Sequence, residues 1–122
     1  MYEEDYIKRL ITSIGQMLVA IAAGRDAVKN NIKLDNNNVV ISEDGLLEIM
    51  IRKDIHDGKI NEAENKIIEA IKSCKSKRSC EIALFFYEEI NKWDENKLSK
   101  CNFSRQRIIE GLKTVRKLYG QI

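Results

Sequence analysis

The chain has 122 residues, a net charge of +2 and no proline, with apolar residues at 43% and charged residues at 33%. This length allows a core without cross-links, and the apolar content excludes wholesale disorder. The balanced charge excludes a surface that is basic all over, while the lack of proline disfavours a turn-rich sandwich or barrel. We therefore predict an all-α fold, a compact bundle of about five helices that forms a single helical domain over residues 1–122.

The amino-terminal residues and the cysteines predict a cytoplasmic protein. Glu3, Glu4 and Asp5 precede the first apolar residues, the reverse of the basic start of a secretory signal. The longest apolar run, Met17–Ala23, is much shorter than the ~20 residues that a membrane span needs. Three cysteines are an odd number, which is typical of a reducing compartment. We therefore expect no membrane contact.

The first predicted element is a long helix from about Glu4 to Asn30. Its apolar residues recur at helical spacing, so they form a strip on one side. The strip either packs in the chain's own core or forms a seam with a second copy. The second alternative gives our predicted interface, in which the chain is a homodimer or binds another protein. Its residues are Ile7, Leu10, Ile14, Met17 and Ile21.

A polar segment, Asn30–Asn38, is the predicted linker, because asparagine and aspartate favour turns. Two helices then follow from Glu43 to Ser73, folded back on each other at Gly58. Asn61 is predicted to cap the second of them, with Glu64 at the spacing of a capping box. This hairpin is the predicted centre of the fold.

The hairpin resembles a known repeat family. The stretch Gly58–Ala63, followed by Ile67 and Ala70, resembles the turn and second helix of a tetratricopeptide repeat. The resemblance covers half a repeat, since Ile51 and Asp54 depart from the family pattern and no second copy follows at about 34 residues. It implies a scaffold that binds proteins or peptides.

A wider resemblance covers most of the chain. The stretches Asp5–Ile11, Asn61–Asn65, Phe103–Arg105 and Glu110–Leu112 resemble an uncharacterised bacterial family of helical proteins. That resemblance implies an all-helical fold and brings no known activity.

A basic connector separates the hairpin from the later helices. Its four cations, without an acid among them, are Lys72, Lys75, Lys77 and Arg78. Such a segment is either a solvated loop near a helix end or a phosphate contact. The first of these interpretations is the commoner one.

Three further elements complete the prediction. A helix of about Ser79–Lys92, capped by Ser79, is expected to be central and largely buried. A short turn anchored by Leu98 follows, and the last helix begins at a Ser104 cap. This last helix has one apolar face and an outer face rich in arginine and lysine.

No pattern in the sequence predicts a catalytic, metal or cofactor site. His56 is the only histidine, and it lies beside a predicted turn. Cys74, Cys80 and Cys101 have no paired spacing of the kind that zinc sites use, so we expect free thiols. We therefore predict a helical protein-interaction module that is not an enzyme. The alternative is a nucleic-acid-binding protein that uses Lys72–Arg78 and the basic last helix, and we rank a nucleic-acid partner second.

Overall fold

A computed structural model of the chain describes residues 3–18 and 43–120 and contains, within these two ranges, six helices and no strand. The predicted all-α compact fold is therefore confirmed. The described part of α1 covers residues 3–18. The other helices are α2 (Glu43–His56), α3 (Ile60–Ser73), α4 (Lys77–Asn91), α5 (Glu95–Lys100) and α6 (Arg105–Gly120). The predicted linker Asn30–Asn38, the later part of the first predicted helix and Ile21 lie outside the described residues.

Contacts between helices fix their relative directions. Arg107, in the first turn of α6, lies 3.2 Å from the carboxylate of Glu64, near the start of α3. At the other end, the hydroxyl of Tyr119 donates to the carbonyl oxygen of Ser76, just beyond α3, at 2.6 Å. Helices α3 and α6 are therefore parallel, and α4, which begins directly after Ser76, runs in the opposite direction.

Helix α4 is the centre of the bundle. It packs against α2, α3 and α6, and Phe86, Tyr87 and Ile90 on it are fully buried. The Phe86 and Tyr87 rings meet edge to face, with their centroids 5.0 Å apart. This arrangement confirms the prediction of a central, largely buried helix, whose aromatic residues contribute much of the buried apolar area.

The described part of helix α1 packs residues of the predicted interface against the chain's own core. Ile7 and Ile14 have no exposed surface and Leu10 is 5% exposed, while Met17 packs against the core and is partly buried. The amide of Asn91, at the end of α4, donates to the carbonyl oxygen of Glu4 at 3.3 Å, so α1 is antiparallel to α4. Along residues 3–18, the apolar side of α1 therefore packs on the chain's own helices, which is the first of the two alternatives predicted for this strip.

The hairpin forms as predicted, but its cap differs. Gly58 adopts φ 77°, the left-handed conformation that glycine tolerates best, and thereby ends α2. Helix α3 begins one residue earlier than the proposed cap, so Lys59 holds the N-cap position and makes no side-chain cap bond. Asn61 lies inside the helix, where its amide donates to the carbonyl oxygen of Cys101 at 3.1 Å. The capping box of Asn61 and Glu64 was therefore wrong.

Later helix boundaries follow local side-chain caps. The N-cap of α4 is Ser76 and not the predicted Ser79. The hydroxyl of Ser76 accepts a hydrogen bond from the Ser79 backbone amide at 3.0 Å, so α4 begins earlier than predicted. The hydroxyl of Ser104 accepts from the Arg107 backbone amide at 3.2 Å, which confirms the predicted cap of α6. Leu98 is 1% exposed and anchors α5, also as predicted. In the part of the chain that is described, no helix has the length and apolar character of a membrane span.

Candidate functional site

The exposed apolar surface of the described residues lies mainly on α2. Leu46 is 52% exposed, Ile49 54% and Met50 36%. They follow the spacing i, i+3 and i+4, so they lie on one side of the helix. Leu47 and Ile51, on the other side, are 7% and 0% exposed and belong to the core. We call Leu46, Ile49 and Met50 the α2 stripe.

Charged residues hold α2 against α4. The guanidinium of Arg78, in the first turn of α4, pairs with the carboxylate of Glu48 on α2. Arg52 pairs with the same carboxylate at 3.0 Å and lies 4.4 Å above the ring of Phe85. These contacts fix the orientation of the helix, so the α2 stripe is presented to solvent on a well-supported element.

The four predicted cations of the connector separate into two groups. Arg78 is engaged with Glu48 and, at 3.6 Å, with Glu81. Lys72 lies in the last turn of α3, Lys75 in the connector and Lys77 at the first position of α4, and all three are exposed. The predicted loop is therefore shorter than its sequence indicated, since three of its four cations belong to a helix and only Lys75 lies between helices.

The basic face of α6 is also partly engaged. The guanidinium of Arg105 donates to the carbonyl oxygen of Trp93 at 2.7 Å, and its side chain is 11% exposed. Arg107 donates to the amide oxygen of Asn61 at 2.6 Å and pairs with Glu64. These two arginines therefore join helices, and the cations further along α6 are the ones left for other contacts.

A partly buried polar cluster joins α3, α4 and α6. The hydroxyl of Tyr87 donates to the carboxylate of Glu64 at 2.8 Å, and the same carboxylate accepts from Arg107. Burial, then the negative charge of Glu64 and its hydrogen bond, raise the pKa of Tyr87 well above its usual value, and Arg107 opposes this in part. A tyrosine that stays protonated and lies inside the bundle acts as a hydrogen-bond donor. We assign the cluster a structural role.

Sequence reasoning did not find this cluster. The spacing of Glu64 predicts a capping box, and no motif in the sequence marks Tyr87. One signal was present, because Gly111 interrupts an otherwise apolar and basic helix, and a glycine there indicates close approach of a neighbour. A second missed pair is Asp54 with Lys66, whose charged atoms lie 2.7 Å apart across the hairpin.

The residues considered for catalysis or metal binding lie apart. His56 is exposed in the last turn of α2. Cys74 is exposed, Cys80 is buried and Cys101 is intermediate, and each is a free cysteine. Burial, with a smaller contribution from the charge of Glu81, raises the pKa of Cys80 to about 12. In residues 3–18 and 43–120, no three histidine, cysteine or acidic side chains converge on a common point.

A shallow groove of about 530 Å³ lies between α1 and α4. It is lined by Thr12, Gly15, Gln16 and Leu18 of α1 and by Lys77, Glu81 and Leu84 of α4. The groove is wide open to solvent, whereas small-molecule sites usually bury most of their ligand. We therefore favour the α2 stripe as the candidate site.

Comparison with curated proteins gives no match, and comparison with solved structures gives none either. A family model described as a family of unknown function (DUF6483) matches residues 1–120. This match covers nearly the whole chain, including all the helices described above, and it assigns no activity. The chain belongs to the family of unknown function DUF6483.

Proposed function

We propose that the protein is a non-catalytic helical interaction module that self-associates through the α2 stripe. The observation that carries this proposal is the exposure of Leu46, Ile49 and Met50 on one side of a helix whose other side is core. Exposed apolar residues are common when scattered singly, but a contiguous group on one element often marks an interface.

A second copy of the chain is the partner that fits this surface best. Helix α2 packs against α3 and α4, and its outer side carries the stripe. Outside the stripe, Tyr6 is the one other exposed large apolar residue in the part of the chain that is described, and it lies on α1. Two copies related by a two-fold axis would each supply the same stripe, which is how most homodimers are built.

The size of the stripe sets the expected affinity. Three partly exposed side chains are fewer than a standard interface of about 800 Å² per partner requires. We therefore expect a weak dimer whose population depends on protein concentration. The resemblance of the hairpin to half a tetratricopeptide repeat supports the same class of function, and Ala63, one of the small residues in that resemblance, is fully buried.

Sedimentation velocity of the wild-type chain from about 1 μM to about 1 mM tests the proposal, since these limits correspond to about −8 and −4 kcal/mol of binding free energy. We expect the wild-type mass to rise toward that of a dimer. A Leu46→Ser, Ile49→Ser variant should fold normally, because both side chains are more than half exposed, and should stay monomeric.

A Tyr6→Ser variant is the matched control, because Tyr6 is 41% exposed and lies on another helix. It should associate as the wild type does. A wild-type chain that is monomeric at about 1 mM, or a folded α2 variant that associates equally well, would exclude self-association through the stripe. A monomeric wild type excludes the dimer altogether, whereas a variant that still associates excludes only the α2 stripe as its interface.

A further inference from the structure

One end of the bundle gathers the ends of α3 and α6 and the starts of α2 and α4. Helix α2 begins at this end because the chain folds back at Gly58, and its Glu48 pairs with Arg78 in the first turn of α4. The 2.6 Å hydrogen bond from the hydroxyl of Tyr119 to the carbonyl oxygen of Ser76 joins the last turn of α6 to the connector. Side chains within one helical turn of these two residues are therefore brought to the same end of the molecule.

This end is rich in unpaired positive charge. Its five cations are all exposed, and none of them forms an ion pair with another residue in the ranges 3–18 and 43–120. They come from three elements, namely the end of α3 with its connector, the start of α4 and the last two turns of α6. We call them the basic end, and they are Lys72, Lys75, Lys77, Arg116 and Lys117.

A favourable interaction with a helix dipole explains the positions of only some of these cations. Lys72 and Lys117 lie in the last turns of α3 and α6, where a cation interacts favourably with the helix dipole. Lys77 occupies the first turn of α4, which contains no acid, so its charge lies at the positive end of that dipole. Its position opposes folding, and a negatively charged partner would offset that cost.

We infer that the basic end binds the phosphate backbone of a nucleic-acid duplex without reading its sequence. A duplex carries one negative charge about every 1.7 Å of its axis, and cations neutralise it by releasing bound counterions. The five charges come from three different elements, so no single helix carries them into a groove as a recognition helix would. This site is separate from the α2 stripe and does not depend on dimerisation.

Two other partners fit the surface less well. A protein partner usually needs apolar anchors, yet the exposed large apolar residues in the described ranges lie on α1 and α2, none on α3, α4, α6 or the connector. A single strand usually stacks its bases on exposed aromatic rings. Tyr119, the one aromatic residue close to this end on α6, is 3% exposed.

Fluorescence anisotropy of a labelled duplex of about 20 base pairs, measured over a series of salt concentrations, tests the inference. The logarithm of the affinity should fall with the logarithm of the salt concentration, with a slope of about −0.9 for each phosphate contacted and hence about −4.5 for five contacts. A Lys72→Ala, Lys75→Ala, Lys77→Ala variant should reduce the magnitude of the slope by about 3 and weaken binding at low salt at least tenfold.

The matched control removes three exposed lysines from the opposite end of the bundle, through Lys53→Ala, Lys59→Ala and Lys100→Ala. It has the same net charge as the first variant, so it should bind the duplex nearly as well as the wild type. Two duplexes of unrelated sequence should bind equally. The inference is overturned by absence of binding at low salt, by equal losses in both variants, by a sequence preference, or by tighter binding to polyglutamate or phosphatidylserine vesicles.

Discussion

Gly111 has no side chain, and this leaves the space that the polar cluster of Tyr87, Glu64 and Arg107 occupies. A Cβ atom at this position would overlap the hydroxyl of Tyr87, and it would lie 2.6 Å from the Tyr87 ring carbon Cζ and 2.7 Å from the carboxylate of Glu64. These distances are far below ordinary contact, so α6 can approach α4 this closely only where it carries no Cβ. The position therefore requires glycine for space, since no positive φ is involved.

We predict that Gly111→Ala lowers the free energy of unfolding by about 1–3 kcal/mol, because the added methyl group overpacks the site and displaces the Tyr87 hydroxyl. Urea unfolding followed by circular dichroism measures this change. In a Tyr87→Phe background the same substitution should cost less, since the overlapping hydroxyl is gone. Additive effects of the two substitutions would show that the hydroxyl is not the source of the strain.

The cysteines should differ widely in reactivity. The exposed Cys74 is expected to react with a disulfide-forming reagent within seconds to minutes at pH 8, whereas Cys80 should react only when the chain unfolds. The reason is that thiolate is the reactive form, and burial raises the pKa of Cys80 to about 12. Absorbance of the released thiol measures both phases. Cys74→Ser should abolish the fast phase, and a fast phase that persists in this variant would contradict the assignment.

The contacts of single polar residues could not be predicted from the sequence. The positions of Asn61 and Glu64 fit a capping box, but both side chains form longer-range contacts, with the α5–α6 turn, Tyr87 and Arg107. Such contacts join residues that are 23 to 46 positions apart, and local spacing carries no information about them. The turn at Gly58 and the Ser104 cap were predictable, because their physical cause lies within four residues.

At the scale of elements, the hairpin carries a small residue on the buried side of α3. Ala63 is fully buried, as are Ile60 and Ile67 on the same helix, which packs against α2, α4 and α6. We predict that Ala63→Leu lowers the free energy of unfolding by about 1–3 kcal/mol, because a larger side chain overpacks the contact between α3 and its neighbours. Thermal unfolding followed by circular dichroism measures the change.

A substitution of Ala70 by leucine is the matched control on the same helix, since Ala70 is only partly buried. It should cost less than the change at Ala63. An Ala63→Leu variant as stable as the wild type would show that the helices do not meet closely at this point.

The spacing of apolar residues predicted the helices correctly, but it did not predict which helix carries the exposed apolar surface. Both α1 and α2 carry apolar residues at helical spacing, and the pattern on α1 is the longer and more regular one. The structure nevertheless covers Ile7 and Ile14 and exposes Leu46 and Ile49. A repeat pattern shows that a helix has an apolar side, but the packing of all the helices decides which side meets solvent.

At the scale of the whole molecule, stability should fall at alkaline pH. Cys80 and Tyr87 have ordinary pKa values of 9.0 and 10.0, and burial raises both in the folded chain. At a pH between the ordinary and the raised pKa of either group, that group loses its proton in the unfolded chain but keeps it in the folded chain. The stabilisation is therefore fully present below about pH 9 and is lost as the pH rises above it, by up to about 1.4 kcal/mol per pH unit for each group.

Urea unfolding at several pH values from 8 to about 10.5 measures this dependence, and reversal on return to pH 8 is the check on chemical damage. Cys80→Ala should remove most of the decline between about pH 9 and 10, because Tyr87 begins to contribute only above its ordinary value. If the free energy of unfolding of this variant fell just as steeply between these pH values, titratable groups other than Cys80 would be the cause.

The contact between Asn91 and Glu4 joins positions that are 87 residues apart, whereas Asp54 and Lys66 in the hairpin are only 12 apart. Closing a longer loop costs more conformational entropy and slows the formation of the contact. Helices α2 to α6, which pack mainly on their neighbours in the chain, should therefore assemble first, and α1 should dock onto the preformed surface of α4. In native-state hydrogen exchange, the backbone amides of α1 should accordingly open before those of α4, at a free energy below that of global unfolding.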